Sequence, residues 1–383
     1  MHFPSIIEIS KSALRHNISF LQSYLQPGVR ISSVVKANAY GHGVSVFVPL
    51  AEEFGIDHFS VFSLDEAFNV RKSLKNHADI MVMGWVDPKD IPWAVEHDTE
   101  FYVFEMDTLH AALNAAKFNR KQAKVHLEVE TGMNRTGLSV RDLKKAMKLI
   151  TENVAYFNIR GLCTHYAGAE SISNYLRVIH QLKRFNQKRK LLLHNGIVPA
   201  FNHTACSAAC VAYPKTQMDM VRIGILQYGF WPSPETFIHY IHGRNDKTDP
   251  LQRVLSWKSK IMSIKDVSEG EFVSYGTTYL AKSDMRIAII PAGYSHGYSR
   301  SLSNQGRVLI SNQRVGVIGT VNMNMLIADI TGLEDAKIGD EVVFIGRQGD
   351  KVINVSSFTE LSDQLNYELL ARLPMNIPRI IVD

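Results

Sequence analysis

The chain has 383 residues, of which 45% are hydrophobic and 21% are charged, and its formal net charge is +5. This composition is typical of a globular protein with one large and one smaller domain, and it excludes disordered and fibrous chains. The basic residues form short clusters without interleaved aromatic residues, and no apolar run reaches membrane-spanning length, so neither nucleic-acid binding nor a membrane span is expected.

The cysteine content indicates the compartment. Cys163, Cys206 and Cys210 are an odd number of thiols without metal-ligand spacing. This pattern fits a reducing cytoplasm better than a disulfide framework. The N-terminus also lacks the basic and apolar pattern of an export signal. We therefore expect a cytoplasmic protein without a metal site.

The first two-thirds of the chain alternates short apolar strands with amphipathic helical segments after an opening strand and helix over residues 6–25. Ser63 with Glu66 fits a capping box, and Met106–Phe118 carries apolar residues at helical spacing. Eight strands are predicted here, at Ile31–Val35, His58–Phe62, Asp79–Met83, Glu100–Phe104, Lys124–Val129, Ile159–Thr164, Ala200–Thr204 and Met220–Ile225. Eight strand and helix units predict an α/β fold, a closed (β/α)8 TIM-type barrel over residues 1–245, with a doubly wound open sheet as the alternative.

From about Asn245 the pattern changes to a polar linker followed mainly by strands, which predicts a mostly-β C-terminal domain over residues 246–383. The predicted strands are Val254–Ile264, Phe272–Ser274, Arg286–Ile290, Arg307–Ile310, Val315–Thr320, Met325–Ile330 and Glu341–Ile345. One helix is predicted from a second capping box, Ser357 with Glu360, toward Leu373.

Polar residues stand where barrel strands end, which is where a TIM barrel carries its chemistry. Lys36 ends an apolar strand that would partly desolvate its amine and favour Schiff-base chemistry. Taken singly, each such residue also has an ordinary explanation as a solvated lysine, a core histidine or an ion-paired arginine. The candidates are Lys36, Arg135, His165, Ser207, Arg222 and Gly224.

Seven motifs in order along the chain resemble those of the alanine racemases, which are fold-type III pyridoxal phosphate enzymes. They are Val-Val-Lys-Ala-Asn-Ala-Tyr-Gly-His-Gly at 34–43, Glu-Thr-Gly-Met-Asn-Arg-Thr-Gly at 130–137, Thr-His-Tyr-Ala at 164–167, Met-Val-Arg-Ile-Gly-Ile at 220–225, Val-Ser-Tyr-Gly-Thr-Thr-Tyr at 273–279, Gly-Tyr-Ser-His-Gly at 293–297 and Leu-Asn-Tyr-Glu at 365–368. The resemblance implies a homodimer with shared active sites that interconverts L-alanine and D-alanine. It also implies pyridoxal 5'-phosphate as cofactor and a supply of D-alanine for peptidoglycan.

The resemblance implies two catalytic bases. Lys36 would hold the cofactor as an internal aldimine and act on one face of the substrate, and Tyr275 of the partner subunit would act on the other. Inverting a stereocentre requires removing a proton from one face and returning one to the other, so two bases flanking a planar carbanion are the direct solution, and the cofactor stabilises that carbanion. His165 would hydrogen-bond Tyr275 and be linked to Arg222, which would face the pyridine nitrogen.

The remaining roles implied by the resemblance concern the cofactor phosphate and the substrate carboxylate. Arg135 would contact the cofactor or the substrate carboxylate, Met323 would offer a backbone N–H to that carboxylate, and Tyr294 would line the pocket. The phosphate would be surrounded by Tyr40, Ser207, Gly224, Ile225 and Tyr367.

Departures from the family pattern leave alternatives open. Glu128 stands where many relatives have a lysine that becomes carbamylated, so we expect a direct Arg135–Glu128 ion pair. Asn324 and His296 stand where aspartates are usual, which raises the alternative of a broader amino-acid racemase acting on serine or lysine. A carrier of pyridoxal phosphate without racemase activity and a decarboxylase of the same fold are further alternatives. Tyr275 counts against a carrier, which needs no second base.

Overall fold

The structure is a computed structural model that describes residues 3–359 and 366–383. The chain divides into two compact units. The first, called here the barrel unit, comprises Ala13–Ala37 and Val48–Gln252. The second, called the β unit, comprises the described parts of Met1–Ser12, Asn38–Phe47 and Arg253–Asp383.

The elements before residue 242 alternate strands and helices. In chain order they are β1 (Ser5–Ser10), α1 (Lys11–Tyr24), β2 (Arg30–Val34), α2 (Lys36–Tyr40), α3 (Val44–Glu53), β3 (His58–Val61), α4 (Leu64–Ser73), β4 (Asp79–Val82), α5 (Ile91–Glu96), β5 (Glu100–Val103), α6 (Met106–Asn119), β6 (Ala123–Glu128), α7 (Val140–Glu152), β7 (Phe157–Cys163), α8 (Tyr175–His194), β8 (Phe201–His203), α9 (Ser207–Ala212), β9 (Met220–Ile223) and α10 (Pro234–Ile241).

The elements of the C-terminal part are mostly strands. They are β10 (Leu255–Lys260), β11 (Ser263–Val267), β12 (Met285–Ile290), β13 (Arg307–Ile310), β14 (Gln313–Ile318), β15 (Leu326–Asp329), β16 (Glu341–Gln348), β17 (Lys351–Ile353), α11 (Ser356–Thr359), α12 (Asn366–Ala371) and β18 (Arg379–Val382).

The barrel unit contains an eight-stranded parallel sheet in the order β8-β7-β6-β5-β4-β3-β2-β9. Backbone hydrogen bonds bring its two ends together, from Asp219 N to Asn202 O at 3.1 Å and from Arg222 N to Ala205 O at 3.0 Å. Strands such as β3 and β5 are buried at every residue, because helices cover one face and the barrel interior the other. The predicted (β/α)8 barrel is confirmed, and the open sheet is wrong.

Local predictions in the barrel unit are largely confirmed. All eight predicted strands are present within two residues of their expected ends, and the helix predicted from Met106 is α6. Ser63 is the N-cap of α4, but its side chain makes no capping bond, so the predicted capping box is wrong. Glu66 instead accepts from the backbone N–H of Phe62 at 2.7 Å and of Ala37 at 2.6 Å.

The β unit is built on a sheet in the order β11-β12-β15-β14-β13-β16-β10-β1-β18, with β17 paired to β16. Its pairs are antiparallel except for β1 with β18. The buried rings of Trp257 and Tyr298 flank that of Phe344, with centroids 4.5 Å and 5.6 Å away. The mostly-β C-terminal domain is therefore confirmed.

Some predicted elements of the β unit differ from the structure. The strand expected over Val254–Ile264 breaks into β10 and β11, which lie in different parts of the sheet. Phe272 forms only an isolated bridge with Leu280 rather than a strand. Ser357 lies within α11, while Glu360, the other half of the second capping box, lies outside the described residues. Among the described residues, no helix is both long and apolar enough to cross a membrane.

Candidate active site

The polar candidates of the barrel unit lie at one end of the barrel, because parallel strands present their carboxyl ends at the same rim. Lys36 follows β2, Arg135 lies between β6 and α7, and His165 follows β7. Ser207 begins α9 after β8, while Arg222 lies in β9 just before Gly224 and Ile225. The rim assembles every barrel-unit residue that the sequence singles out.

Lys36 follows the end of strand β2 and is partly removed from water. The carbonyl of Val34 accepts from Gln227 Nε2 at 3.1 Å and from Tyr228 Oη at 2.9 Å, which holds the end of β2. Burial, reinforced by the positive charge of Arg135, lowers the pKa of the Lys36 amine. A lowered pKa increases the fraction of neutral amine, which is the form that acts as a nucleophile or a base.

The chain after Lys36 forms a left-handed helical turn, α2. The φ angles of Ala37, Asn38, Ala39 and Tyr40 lie between 51° and 53°. An L-residue pays about 1–2 kcal/mol in this conformation, so four in succession hold considerable strain. Within the β unit, Gly43 N donates to Asn38 O at 2.9 Å, which ties the later part of the turn to the following loop. Sequence reasoning missed this turn.

Arg222 is 5% exposed, and four of its five N–H groups are used inside the barrel unit. One terminal nitrogen donates to His203 Nδ1 at 2.6 Å and to His203 O at 2.8 Å. The other donates to the carbonyls of Thr164 at 2.8 Å and Thr204 at 3.1 Å. None of the described residues accepts from the Arg222 Nε–H, so this donor is available for a hydrogen bond.

The link between the described side chains of His165 and Arg222 is electrostatic, and no hydrogen bond joins them. The imidazole that contacts Arg222 is His203, because it lies on the adjacent strand β8 with Nδ1 toward the guanidinium. Burial and the positive charges of Arg222, Arg135 and Lys36 lower the pKa of His165 to about 3. His165 is therefore neutral at physiological pH.

Ser207 and Gly224 meet where β8 and β9 lead into the rim. Gly224 N donates to Ser207 Oγ at 3.0 Å, and both residues are buried. Ile225 begins a short 3-10 helix directly after Gly224. The structure therefore brings together three residues expected around a phosphate, with the Ser207 hydroxyl as a hydrogen-bond donor.

The β unit carries three of the expected residues on exposed loops. Tyr275 is 73% exposed, Tyr294 is 40% exposed and Met323 is 56% exposed. Their loops are joined through Asn322, whose carbonyl accepts from Tyr294 N at 3.0 Å and whose Oδ1 accepts from Ser274 Oγ at 3.2 Å. One connected surface therefore presents all three side chains.

Tyr40 and Tyr367 also lie together in the β unit. Their ring centroids are 6.2 Å apart, with the ring planes inclined by 55°. This separation brings the two phenol rings into contact range. The structure thus pairs the two tyrosines that the family resemblance assigns to the phosphate.

Comparison with known proteins covers both parts of the chain. Residues 9–232 match the family model for the N-terminal domain of alanine racemase, and residues 254–381 match that for its C-terminal domain. The chain belongs to the alanine racemase family.

Individual members of the alanine racemase family match over nearly their full length. The alanine racemase of Halothermothrix orenii is 35% identical over 378 residues, covering 98% of this chain and 96% of the relative. The alanine racemase of Leptospira interrogans is 32% identical over 381 residues, covering 100% of this chain and 96% of the relative. A crystal structure of the Bacillus anthracis alanine racemase with bound L-Ala-P has a TM-score of 0.90 and 30% identity, covering 100% of this chain and 96% of that one.

Among departures from the alanine racemase pattern, the expected Arg135–Glu128 ion pair is wrong. Both residues are described, and no ion pair joins them. Glu128 ends β6 with its side chain buried, and burial raises the pKa of its carboxyl although the positive charges of Arg222 and Arg135 oppose the shift. Arg135 is exposed on the following loop. Arg135 therefore acts on Glu128 only as a nearby charge.

The other two departures, Asn324 and His296, meet at one serine. Asn324 Nδ2 donates to Ser295 Oγ at 3.0 Å, and His296 Nδ1 lies 3.3 Å from the same oxygen. Ser295 Oγ in turn donates to the carbonyl of Met323 at 2.7 Å. Both side chains therefore lie beside the serine that holds the backbone of the Met323 loop.

Proposed function

We propose that the chain is a cytoplasmic alanine racemase that interconverts L-alanine and D-alanine as a homodimer and supplies D-alanine for peptidoglycan. The observation that carries this proposal is that one rim of the barrel holds two suitable groups. They are the partly desolvated amine of Lys36 and the Nε–H of Arg222, which donates to none of the described residues. In this proposal residues 1–245 bind pyridoxal 5'-phosphate, and residues 246–383 contribute to the partner subunit's site.

The donor set at the rim fits pyridoxal phosphate. The Lys36 amine suits its aldehyde, and the Arg222 Nε–H suits the ring nitrogen, which accepts a hydrogen bond. Ser207, Gly224 and Ile225, with Tyr40 and Tyr367, would hold the phosphate. His165 would be a further contact of the cofactor site. When bound, the cofactor supplies an electron sink for the negative charge that forms at the substrate α-carbon.

The chain's own residues would move the protons. The Lys36 amine would remove or return the α-proton on one face of the substrate, and the Tyr275 hydroxyl of the partner subunit would do so on the other. Burial favours the neutral, basic form of Lys36. The high exposure of Tyr275 supports its action outside its own subunit. Two bases on opposite faces invert a stereocentre without rotation of the substrate.

The substrate would be oriented by the positive charge of Arg135 and by the loops that carry Tyr294 and Met323, which Asn322 joins. The exposed Arg135 guanidinium would bind the substrate carboxylate, together with the backbone N–H of Met323. Tyr294 would line the same pocket, and Tyr367 at its mouth would limit the size of the side chain. Asn324 and His296, which stand where aspartates are usual in the family, favour one second candidate, a racemase of broader specificity.

A substrate panel tests the proposal. The purified protein is supplied with pyridoxal phosphate and then with L-alanine, L-serine, L-lysine or L-arginine, and chiral chromatography measures each D-isomer. We expect rapid interconversion of alanine alone. Comparable turnover of the larger amino acids would establish the broader racemase. Absence of D-isomers from all four substrates would contradict racemase function and favour a carrier or a decarboxylase.

Arg222→Glu is expected to slow alanine racemisation on the order of 10²-fold and to reveal side products such as the keto acid of transamination. A guanidinium keeps its protons, whereas a carboxylate at this position favours a protonated ring nitrogen and a stronger electron sink. Rates and products are measured by chiral chromatography and keto-acid analysis. An unchanged rate and product profile would contradict the role of Arg222.

Arg222→Lys is the matched variant for this test, because it keeps the positive charge and gives up the planar set of donors. In the glutamate variant, His203 Nδ1 and three carbonyls lose their donors in a buried place. The lysine variant is therefore expected to fold more readily and to lose rate without producing keto acid. Equal keto-acid production by both variants would show that charge at this position does not control the side reaction.

A further inference from the structure

A continuous line of buried side chains runs inside the barrel from Arg222 to Glu100. The guanidinium lies 2.6 Å from His203 Nδ1, and His203 Nε2 lies 2.8 Å from His126 Nδ1. His126 Nε2 lies 2.7 Å from Glu100 Oε2. The two histidines and Glu100 are fully buried, so every bond in this line is shielded from water.

The chemistry of the groups fixes where each proton lies. A guanidinium can only donate, so His203 Nδ1 must accept and His203 must carry its proton on Nε2. That N–H donates to His126 Nδ1, which leaves the His126 proton on Nε2, where it donates to Glu100. Both imidazoles are therefore neutral and have the same tautomer, between a cation at one end and an anion at the other.

Further charged and titratable groups surround the carboxylate end of the line. Arg160 Nε donates to Glu100 Oε1 at 2.5 Å, and His58 Nε2 lies 3.2 Å from Oε2. Burial alone would raise the pKa of Glu100, but hydrogen bonds from His126 and His58 outweigh it and hold that pKa far below its usual range. Glu100 is therefore ionised at neutral pH, and its two carboxylate oxygens accept hydrogen bonds.

Burial and the neighbouring guanidinium keep the His203 imidazole neutral. Burial and then the charge of Arg222 place the pKa of His203 well below its usual value. The Tyr102 ring also packs on His203, with centroids 6.1 Å apart. Without a fixed acceptor beyond it, His203 could carry its proton on Nδ1 and direct an N–H at the Arg222 N–H groups.

We propose that Glu100 and His126 are positioning residues for Arg222, because they hold His203 in the Nε2–H tautomer that accepts the guanidinium hydrogen bond. This inference rests on the proposed function in one respect, the use of the remaining Arg222 Nε–H toward the cofactor ring. Glu100 and His126 would contact neither the cofactor nor the substrate. They keep the guanidinium plane fixed so that the remaining donor is presented in one orientation.

The test measures histidine tautomers directly by ¹⁵N NMR of histidine-labelled full-length protein at neutral pH, with and without pyridoxal phosphate. His126→Gln and His203→Gln assign the two imidazoles. In the parent protein we expect both to be neutral with the proton on Nε2. In Glu100→Gln, where an amide offers donors as well as an acceptor, we expect His203 to show mixed tautomers. A charged or Nδ1-protonated His203 in the parent, or an unchanged His203 in Glu100→Gln, would overturn the proposal.

Glu96→Gln is the matched control, because it removes the same charge from an exposed position at the end of α5. It should leave the His203 signals and the kinetics unchanged. In the loaded enzyme, Glu100→Gln is expected to lower kcat on the order of tenfold with a smaller effect on KM, since it disturbs orientation rather than substrate binding. If Glu96→Gln shifted the ¹⁵N signals of His203 as much as Glu100→Gln does, the effect would be a general electrostatic one. That result would overturn the positioning role of Glu100.

A second pair of variants keeps the test decisive if Glu100→Gln does not fold. His126→Gln preserves an acceptor toward His203 and a donor toward Glu100, whereas His126→Phe removes both. We expect His203 to keep its tautomer in the glutamine variant and to lose it in the phenylalanine variant. The same result in both would overturn the proposal. Because the tautomers are read without substrate turnover, a parent protein that lacks racemase activity but shows them contradicts the proposed function alone.

Discussion

Lys36→Ala and Tyr275→Phe should each lower alanine racemisation by about 10³-fold, and mixed dimers of the two chains should regain activity. In a mixed dimer one site combines Lys36 of one chain with Tyr275 of the other, and the second site lacks both bases. Random association makes half of the dimers mixed, so the mixture should reach about a quarter of the parent activity. Chiral chromatography of the co-refolded chains measures it.

Two controls make this result interpretable. Each variant refolded alone should stay inactive, and light scattering should show a dimer in every sample. Tyr279→Phe is a matched control, since it removes a hydroxyl from the same segment at a residue to which no catalytic role is assigned, and it should keep the parent rate. A mixture that remains inactive, although mixed dimers are shown to form, would place both bases in one subunit and contradict the shared site.

The barrel was predictable because its strands obey a simple physical rule. A parallel strand covered on both faces needs apolar side chains at nearly every position, and this gives short apolar runs that a sequence reveals. The β unit follows the rule less closely. Strand β18 reads Arg-Ile-Ile-Val near the end of the chain, and its pairing with β1 joins residues more than 360 positions apart. Local pattern cannot supply such a pairing.

The site shows the same division between local and long-range information. Lys36, Ser207 and Arg222 could be placed because each follows or ends a recognisable strand. Glu100 and His126 could not, because single polar residues in apolar strands become partners only when the barrel closes. One signal could have found them. Glu100 and His126 are polar residues within apolar strands, and a buried polar group is costly unless it has a partner.

The left-handed turn after Lys36 was beyond sequence reasoning for a different reason. Alanine, asparagine and tyrosine rarely adopt positive φ in succession, and no local preference predicts that they will. The conformation persists because surrounding contacts determine it. Within the β unit, Arg379 donates to the Gly41 carbonyl from Nε at 3.1 Å and from a terminal nitrogen at 2.9 Å. The same guanidinium also binds the carbonyls of Pro374 and Ile377, so it fastens this loop to the C-terminal segment.

Gly41→Ala should therefore lower the free energy of unfolding of the β unit by about 3–5 kcal/mol. Gly41 has φ +78°, where an L-residue is strained, and an added Cβ would lie 2.0 Å from the backbone oxygen of Leu370. A backbone atom cannot move aside as a side chain can, so the loop and α12 must separate. Chemical denaturation followed by circular dichroism measures the loss, and weaker retention of pyridoxal phosphate should accompany it because Tyr40 precedes the altered residue.

Gly270→Ala separates the two causes of this loss. Gly270 belongs to the same unit and has φ +84°, yet an added Cβ there meets nothing within 4 Å. This control should cost only about 1 kcal/mol, the strain of a positive φ alone. The difference between the variants then measures the close approach of the Gly41 loop to Leu370. Equal losses in both variants would mean that the loop can withdraw from α12 without cost, and that the left-handed turn does not depend on this contact.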